Sequence, residues 1–203
     1  MRKLGYRIMC CFLIALCFWV GTLIADRQTL REELIRLHVV ANSDSPEDQA
    51  VKLRVKDAVN EYLQTALKDI SDVDMAKEYL RENLPKIQKI ASETLEALGV
   101  QRDAVVTFCM EEFPKRVYDT FTLPSGVYHS LRITLGEGEG QNWWCVVFPT
   151  LCLQATSRDL EAVAAGAGFS DGLAAAIAGE EEYEVRFFFL DMLGKLENIF
   201  FPE

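Results

Sequence analysis

The hydrophobic pattern of the chain changes its period once, near residue 100, and this change restricts the fold more than any other feature. Before it, apolar side chains recur at helical spacing in three segments between Pro46 and Leu98. After it, between Ala104 and Phe148, apolar and polar side chains alternate as they do in half-buried strands. This order predicts an α+β fold, a single domain in which helices cover a mixed or antiparallel sheet of about four strands.

The first strand and the first helix of this domain have clear boundaries. Leu34–Ala41 is apolar and β-branched enough for a buried strand, and the polar residues after it break the pattern. Ser45 is a typical helix N-cap, Pro46 suits the first helical position, and Asp48 completes an approximate capping box. We therefore expect a strand, a short polar turn and an amphipathic helix in succession.

The second half of the chain predicts further strands and leaves two segments open. Val127–Leu135 and Trp143–Phe148 read as strands, joined by a loop at Gly136–Gly140. Residues 155–180 are rich in Ala and Gly and form either a loose helix or a mobile insertion. Tyr183–Phe200 forms either a helix or a strand followed by a helix, packed on the sheet.

The N-terminal segment has the pattern of a chain that is threaded into a membrane from the cytoplasm. Basic residues at positions 2, 3 and 7 precede Ile8–Ile24, which carries no charge. Residues 1–25 are a signal peptide cut near Ala25 or an uncleaved anchor, and a bulky Leu23 stands where a small residue is usual before the cut. Lipidation at Cys17 is a further alternative, although Leu16 is large for such a site. The remainder, residues 30–203, is expected to be an exported domain.

The charge balance excludes one class of partner. The chain has 21 basic and 31 acidic residues, a formal net charge of −10. Binding to nucleic acid needs clustered Lys and Arg, so we expect no nucleic-acid partner. Anionic lipid headgroups repel such a domain, so we expect membrane contact only through the N-terminal segment.

The cysteines of the exported part suggest one disulfide bond. Cys145 and Cys152 have six residues between them, Pro149 among these, and a bridge would contribute roughly 2–3 kcal/mol in the chain-entropy model. The alternative is a pair of buried thiols. Cys109 is expected to fill the core. The cysteines and histidines lack the paired short spacings of a zinc site, so we expect no metal and no cofactor.

Two candidate chemistries are weaker than their structural explanations. His38 and His129 are the only histidines, and either can pair with Cys145 only if the fold brings the thiolate within hydrogen-bond reach. The Gly136–Gly140 loop offers backbone N–H groups to a phosphate, but Glu137 and Glu139 would repel it. The two glutamates alone would hold Ca²⁺ only weakly. We therefore name no catalytic residue.

Two short segments are candidates for binding a partner. Asn42, Ser43 and Asp44 form a turn before a helix, yet the turn alone does not demand Asn42 and Asp44, so a recognition role is open. Trp143 and Trp144 point to opposite faces of a strand, so at least one of them leaves the core-facing side. An exposed Trp is a plausible interface anchor, unless a helix covers it.

Two stretches resemble the stage II sporulation protein R family. They are RLHVVANSDSPEDQAVKLRVKDAVN (Arg36–Asn60) and LPSGVYHSLRITLGEGEGQNWWCVVFPTLC (Leu123–Cys152), in the same order behind an export segment. The resemblance implies a secreted signalling protein of endospore-forming bacteria. It implies synthesis in the forespore, export into the space between the two sporangium membranes, and activation of a membrane-embedded aspartyl protease of the mother cell. That protease processes the precursor of sigma-E.

Three hypotheses follow for the activity of the domain. The leading one is a protein ligand without enzymatic activity that binds the active state of its receptor more tightly than the inactive one. The first alternative is an exported hydrolase that uses a Cys/His pair or an unrecognised polar cluster. The second is a cell-envelope binding domain that uses exposed tryptophans.

Overall fold

The computed structural model describes residues 2–118, 121–149, 169–179 and 184–200. Within these ranges the chain forms six helices and six strands. The helices are α1 (Arg2–Glu33), α2 (Pro46–Ala66), α3 (Val73–Glu82), α4 (Leu84–Ala97), α5 (Asp171–Ala178) and α6 (Glu184–Phe200). The strands are β1 (Ile35–Val40), β2 (Ala104–Phe113), β3 (Arg116–Val117), β4 (Thr122–Leu123), β5 (Gly126–Leu135) and β6 (Asn142–Phe148).

Four of the strands form one mixed sheet in the order β2-β5-β1-β6. The central strands β1 and β5 are parallel, while β2 pairs with β5 and β6 pairs with β1 in antiparallel fashion. The parallel pair arises because α2, α3 and α4 carry the chain from β1 back to the sheet. The α+β fold with a mixed sheet of four strands, preceded by an apolar helix, is confirmed.

Helices α2, α3 and α4 cover one face of the sheet, called here the α2–α4 face. Alternate residues of β1, namely Ile35, Leu37 and Val39, point into it together with Leu131 and Ile133 of β5. All five side chains are fully buried. This is the core that the alternating pattern of the strands predicts.

The opposite face, called here the α1/α6 face, is covered by the last part of α1 and by α5, α6 and the β3–β4 pair. Its apolar cluster includes Leu30 of α1, Leu173 of α5 and Leu190 of α6, packed with Phe113 and Tyr128 of the sheet. Because β1 also presents Arg36 and His38 to this face, charged groups are buried among aromatic ones.

Several open expectations are settled by these elements. The segment from Glu184 is a single helix, not a strand followed by a helix. Residues 171–178 of the Ala- and Gly-rich segment form α5, which Ser170 caps by accepting from the backbone N–H of Leu173 at 3.1 Å, whereas residues 155–168 lie outside the described ranges. The β3–β4 pair was not predicted. The expectation that Cys109 fills the core is wrong, since its side chain is exposed on β2 at the edge of the sheet.

Candidate partner-binding surface and the polar cluster beside it

Two loops meet at one end of the sheet, where β1 ends and β6 begins. The backbone N–H groups of Glu139 and Gly140 donate to the carbonyls of Asn42 and Ala41 at 3.2 and 2.9 Å. The side chain of Asn42 accepts from the N–H of Glu137 at 3.1 Å. The carboxylate of Asp44 accepts from the N–H of Gln141 at 2.8 Å. Asn42 and Asp44 therefore hold the glycine-rich loop against the turn.

Asp48, near the start of α2, holds the turn between β1 and α2 in place through hydrogen bonds. Its carboxylate accepts from Asn42 Nδ2 at 2.8 Å, from Ser43 Oγ at 2.6 Å and from the guanidinium of Arg102. The hydrogen bonds from Ser43, Asn42 and Arg102 outweigh the effect of burial and lower the pKa of Asp48 from 3.8 to about 2. The carboxylate is thus the ionised centre of the turn.

The capping box is only half formed. Ser45 Oγ accepts from the N–H of Asp48 at 3.1 Å, as predicted for an N-cap. The reciprocal bond is absent among the described contacts of Asp48, and the N–H of Ser45 donates instead to Ser43 Oγ at 3.2 Å. Ser43 therefore takes the position that the Asp48 carboxylate occupies in a complete box.

The glycines of the 136–140 loop are required by its geometry. Gly136 and Gly138 have φ values of 57° and 66°, where other residues are strained. A Cβ atom at Gly140 would overlap the carbonyl of Ser43. The close approach of the two loops therefore accounts for these glycines without a bound phosphate.

The two tryptophans lie on opposite faces of β6, as predicted. Trp143 is 36% exposed, and its ring lies 4.6 Å from Nζ of Lys56 on α2. Trp144 packs on the α1/α6 face, where its ring stacks on that of His38 at 3.8 Å between centroids. Only Trp143 is thus placed to meet a partner directly.

The structure therefore assembles one exposed surface from segments that are far apart in sequence. We call it the loop surface. It consists of Asp44, Glu137, Glu139, Gln141 and Trp143, all of which are exposed. Asn42 and Ser43 lie beneath it and shape it. An exposed aromatic side chain on a surface that also carries carboxylates is a suitable anchor for a basic or amphipathic partner segment.

A polar cluster lies directly behind this surface, on the α1/α6 face. His38 Nδ1 lies 2.6 Å from Glu111 Oε1, and His38 Nε2 lies 2.8 Å from Asn142 Oδ1. Arg132 Nη1 donates to the same Glu111 oxygen at 3.1 Å. His38 and Glu111 are each 4% exposed, and with Trp144 they line an open cleft of about 530 Å³.

The basic side chains beside Glu111 determine its charge state. Burial raises the pKa of Glu111, but the hydrogen bond and charge of His38, aided by Arg132, outweigh it and lower that pKa below 4.5. A carboxylate can only accept, so Nδ1 of His38 carries a hydrogen. Glu111 is therefore an ionised group that two basic side chains hold in place.

The cluster does not form a nucleophile–base pair among the described residues. Both ring nitrogens of His38 already face partners, and neither of those partners is a hydroxyl or a thiol. Cys145 is disulfide-bonded and packs on the opposite face of the sheet. Cys152 lies outside the described residues, so the Cys145–Cys152 pairing stays a prediction.

His129 is placed elsewhere again. It lies on β5 beside Phe108, with 5.9 Å between ring centroids. Burial, together with the charges of Lys77, Arg81 and Arg31, lowers the pKa of His129 below 6.5. The three residues considered for catalysis therefore occupy three separate environments.

Sequence reasoning missed three members of the polar cluster, Glu111, Arg132 and Asn142. One signal was available, because an acidic residue within an alternating strand such as β2 suggests a buried partner of opposite charge. The partner itself is set by the strand pairing, which places Arg132 opposite Thr107, four residues from Glu111 on the same face of β2. Among the described residues, no group of three or more His, Cys, Asp or Glu side chains could hold a metal ion.

The fold and the site together define a class, an acidic α+β domain that follows a long apolar N-terminal helix and presents an exposed loop surface. The family model for stage II sporulation protein R matches residues 31–158. The chain therefore belongs to the stage II sporulation protein R family. It is 44% identical over 121 residues to "Stage II sporulation protein R" of Bacillus subtilis (strain 168). That match covers 60% of this chain and 54% of the relative, so the similarity spans about half the relative's length. No solved structure matches.

Proposed function

We propose that this protein is an exported signal in endospore formation. It is made in the forespore, crosses into the space between the two sporangium membranes, and triggers the membrane-embedded aspartyl protease of the mother cell that processes the sigma-E precursor. The observation that carries the proposal is the family match over residues 31–158, which contains the whole loop surface. The long apolar helix α1, which is compatible with a signal sequence or an anchor, supports export.

In this proposal the protein acts by binding. A ligand activates a receptor when it has a higher affinity for the active state than for the inactive one. The loop surface offers Trp143 as an anchor, and Asp44, Glu137 and Glu139 add carboxylates to the same surface. The hydrogen bonds between its two loops hold these groups in position before the receptor arrives, which lowers the entropy cost of binding.

The same contacts support a ligand over a hydrolase. The disulfide removes the Cys145 thiolate, and His38 is held between Glu111 and Asn142 with no described nucleophile in reach. If His38 acted as a general base, a folded His38→Gln variant would lose its activity completely. We expect such a variant, once its fold is verified by circular dichroism, to trigger the protease.

The proposal can be tested by producing the chain together with the protease and a tagged sigma-E precursor in a bacterium that does not sporulate. Processing is followed by immunoblot. Trp143→Ala is expected to reduce processing about tenfold, as for an interface hot spot. Glu137→Ala combined with Glu139→Ala is expected to reduce it less.

The matched control is Glu93→Ala, because Glu93 is an exposed acidic residue on α4, is not part of the loop surface, and makes a 3.7 Å pair with Lys89. It should process like the wild type. The assignment of the loop surface fails if folded Trp143→Ala and the double variant both process at the wild-type rate. The signalling role itself fails if the wild-type chain produces no processing above the background of cells that lack it.

A further inference from the structure

Helix α6 is apolar on its outward side as well as on the side that packs against the domain. Its exposed apolar residues recur at spacings of three and four and form a single stripe along the helix. They are Val185, Phe188, Met192, Leu196 and Ile199, between 37% and 68% exposed. We call them the α6 stripe.

Two charged groups of α6 have their partners on the side that faces the domain. Asp191 accepts from the backbone N–H and the hydroxyl of Ser125, both at 2.9 Å, and Arg186 pairs with Asp26 of α1. Gly194 allows the helix to lie against the carbonyl of Ser125, where any Cβ atom would overlap it. The rotation of α6 is therefore fixed, and the stripe faces away from the domain.

The position of α1 indicates what the stripe meets. The helix is long and apolar enough to cross a membrane, and its side chains become buried in the domain only from about Trp19 onward. Its uncharged segment, Ile8–Ile24, is about 25 Å long, slightly shorter than a hydrocarbon core of about 30 Å. Trp19 lies about 8 Å before the end of this segment, so a spanning α1 places Trp19 at membrane depth.

Helix α6 is in direct contact with this part of α1. The rings of Trp19 and Phe189 pack edge to face, with centroids 5.0 Å apart, and Phe188 packs against Phe189. If Trp19 lies within the bilayer, its neighbours on α6 must lie at the same depth. Aromatic side chains at this level are typical of the membrane interface.

We propose that the α6 stripe lies on lipid, in the leaflet from which α1 emerges. The inference rests on the proposed export of the chain, because it takes α1 as a retained membrane-spanning helix. It extends the membrane contact beyond the N-terminal segment. Since the protein has a net charge of −10, the contact is apolar and not electrostatic, and it does not depend on anionic lipid.

Photo-crosslinking of the full chain in phosphatidylcholine vesicles tests this proposal without any receptor. Phe188→p-benzoyl-phenylalanine and Met192→p-benzoyl-phenylalanine are each expected to give lipid adducts by mass spectrometry. The matched controls carry the same group in place of Lys195, which lies on α6 beside the stripe, and Lys89, which lies on α4. Both lysine side chains are exposed, at 66% and 72%. The lipid adducts at the stripe should exceed those of the controls several-fold.

If the α6 stripe contacted something other than lipid, the crosslinked adducts would have a different mass. An adduct with a second copy of the chain, or lipid labelling no higher than at Lys89, would overturn the proposal. So would a loss of labelling when salt is raised to about 1 M, where the Debye length is only about 3 Å. Thermal melts verify that each labelled variant is folded, and the two stripe positions serve as replicates. Because no protease is present, this result is independent of the processing assay.

Discussion

The two faces of the sheet are built on opposite principles although the same strands supply both. The α2–α4 face is an apolar cluster of buried side chains such as Leu37, Ile133 and Leu131. The hydrophobic interactions among them are non-directional. The α1/α6 face buries Arg36, His38 and Glu111 among aromatic rings. The first face needs only apolar groups of the right size, whereas each charged group on the second depends on a particular neighbour.

Arg36 shows how far this dependence extends. It is fully buried, its guanidinium carbon lies 4.1 Å from the centroid of the Phe113 ring, and Nη2 donates to the hydroxyl of Tyr118 at 2.8 Å. Its Nε and Nη1 atoms have no hydrogen-bond partner among the described residues. The polar face is therefore kept at a cost in stability, and the following predictions measure the difference between the two faces.

Removing Glu111 should have the largest effect. Glu111→Ala leaves His38 and Arg132 without their shared carboxylate, and breaking one side of a buried pair typically costs about 3–5 kcal/mol. The free energy of unfolding from urea titration measures this loss. The control Thr107→Ala changes an exposed residue of the same strand and should cost less than about 0.5 kcal/mol. A cost below about 1 kcal/mol for Glu111→Ala would mean that the polar cluster contributes little to the stability of the fold.

A truncation on the apolar face should cost slightly less. Leu131→Ala is expected to lower the free energy of unfolding by about 3 kcal/mol, through lost burial and the cavity that remains. In contrast with Glu111→Ala, the loss should be independent of pH, because the groups involved do not titrate. A pH-dependent loss between pH 4 and pH 7 would contradict the separation of the two faces.

Replacing Arg36 by an apolar residue tests the sign of its contribution. Arg36→Met keeps most of the volume and removes a buried charge with two unpartnered nitrogens. We expect the stability to stay within about 1 kcal/mol of the wild type or to increase. A loss of more than about 2 kcal/mol would show instead that the contacts with Phe113 and Tyr118 are net stabilising.

A further effect is expected in acid, at the turn that supports the loop surface. The pKa of Asp48 falls from 3.8 to about 2 on folding, so its ionised form stabilises the protein above its ordinary pKa. That stabilisation is lost as the pH falls from about 4 towards 2. Stability measured across this range should fall less steeply for Asp48→Asn than for the wild type. Equal slopes would show that Asp48 has the same pKa in the unfolded chain.

The sequence-based predictions succeeded for the apolar α2–α4 face and largely failed for the polar groups of the α1/α6 face. The four strands of the mixed sheet, the N-cap at Ser45 and the apolar α2–α4 face could be predicted because each depends on local chemistry and on the period of apolar residues. The loop surface could be predicted in its parts, as Asn42–Asp44 and Trp143, but not as one surface. The polar cluster was not predicted, because Glu111 and Asn142 lie 73 and 104 residues from His38 along the chain.

The sequence by itself determined the order of the elements, the apolar segment at the N-terminus and the family. These depend on the types of residues and their spacing, which the chain carries in any conformation. Only the tertiary structure decided that α1 continues into the domain, that Arg186 and Asp191 of α6 turn inward, and that the two loops join. Such contacts arise from the pairing of strands and the packing of helices, and a one-dimensional pattern does not record which distant side chains those choices bring within a few ångströms of one another.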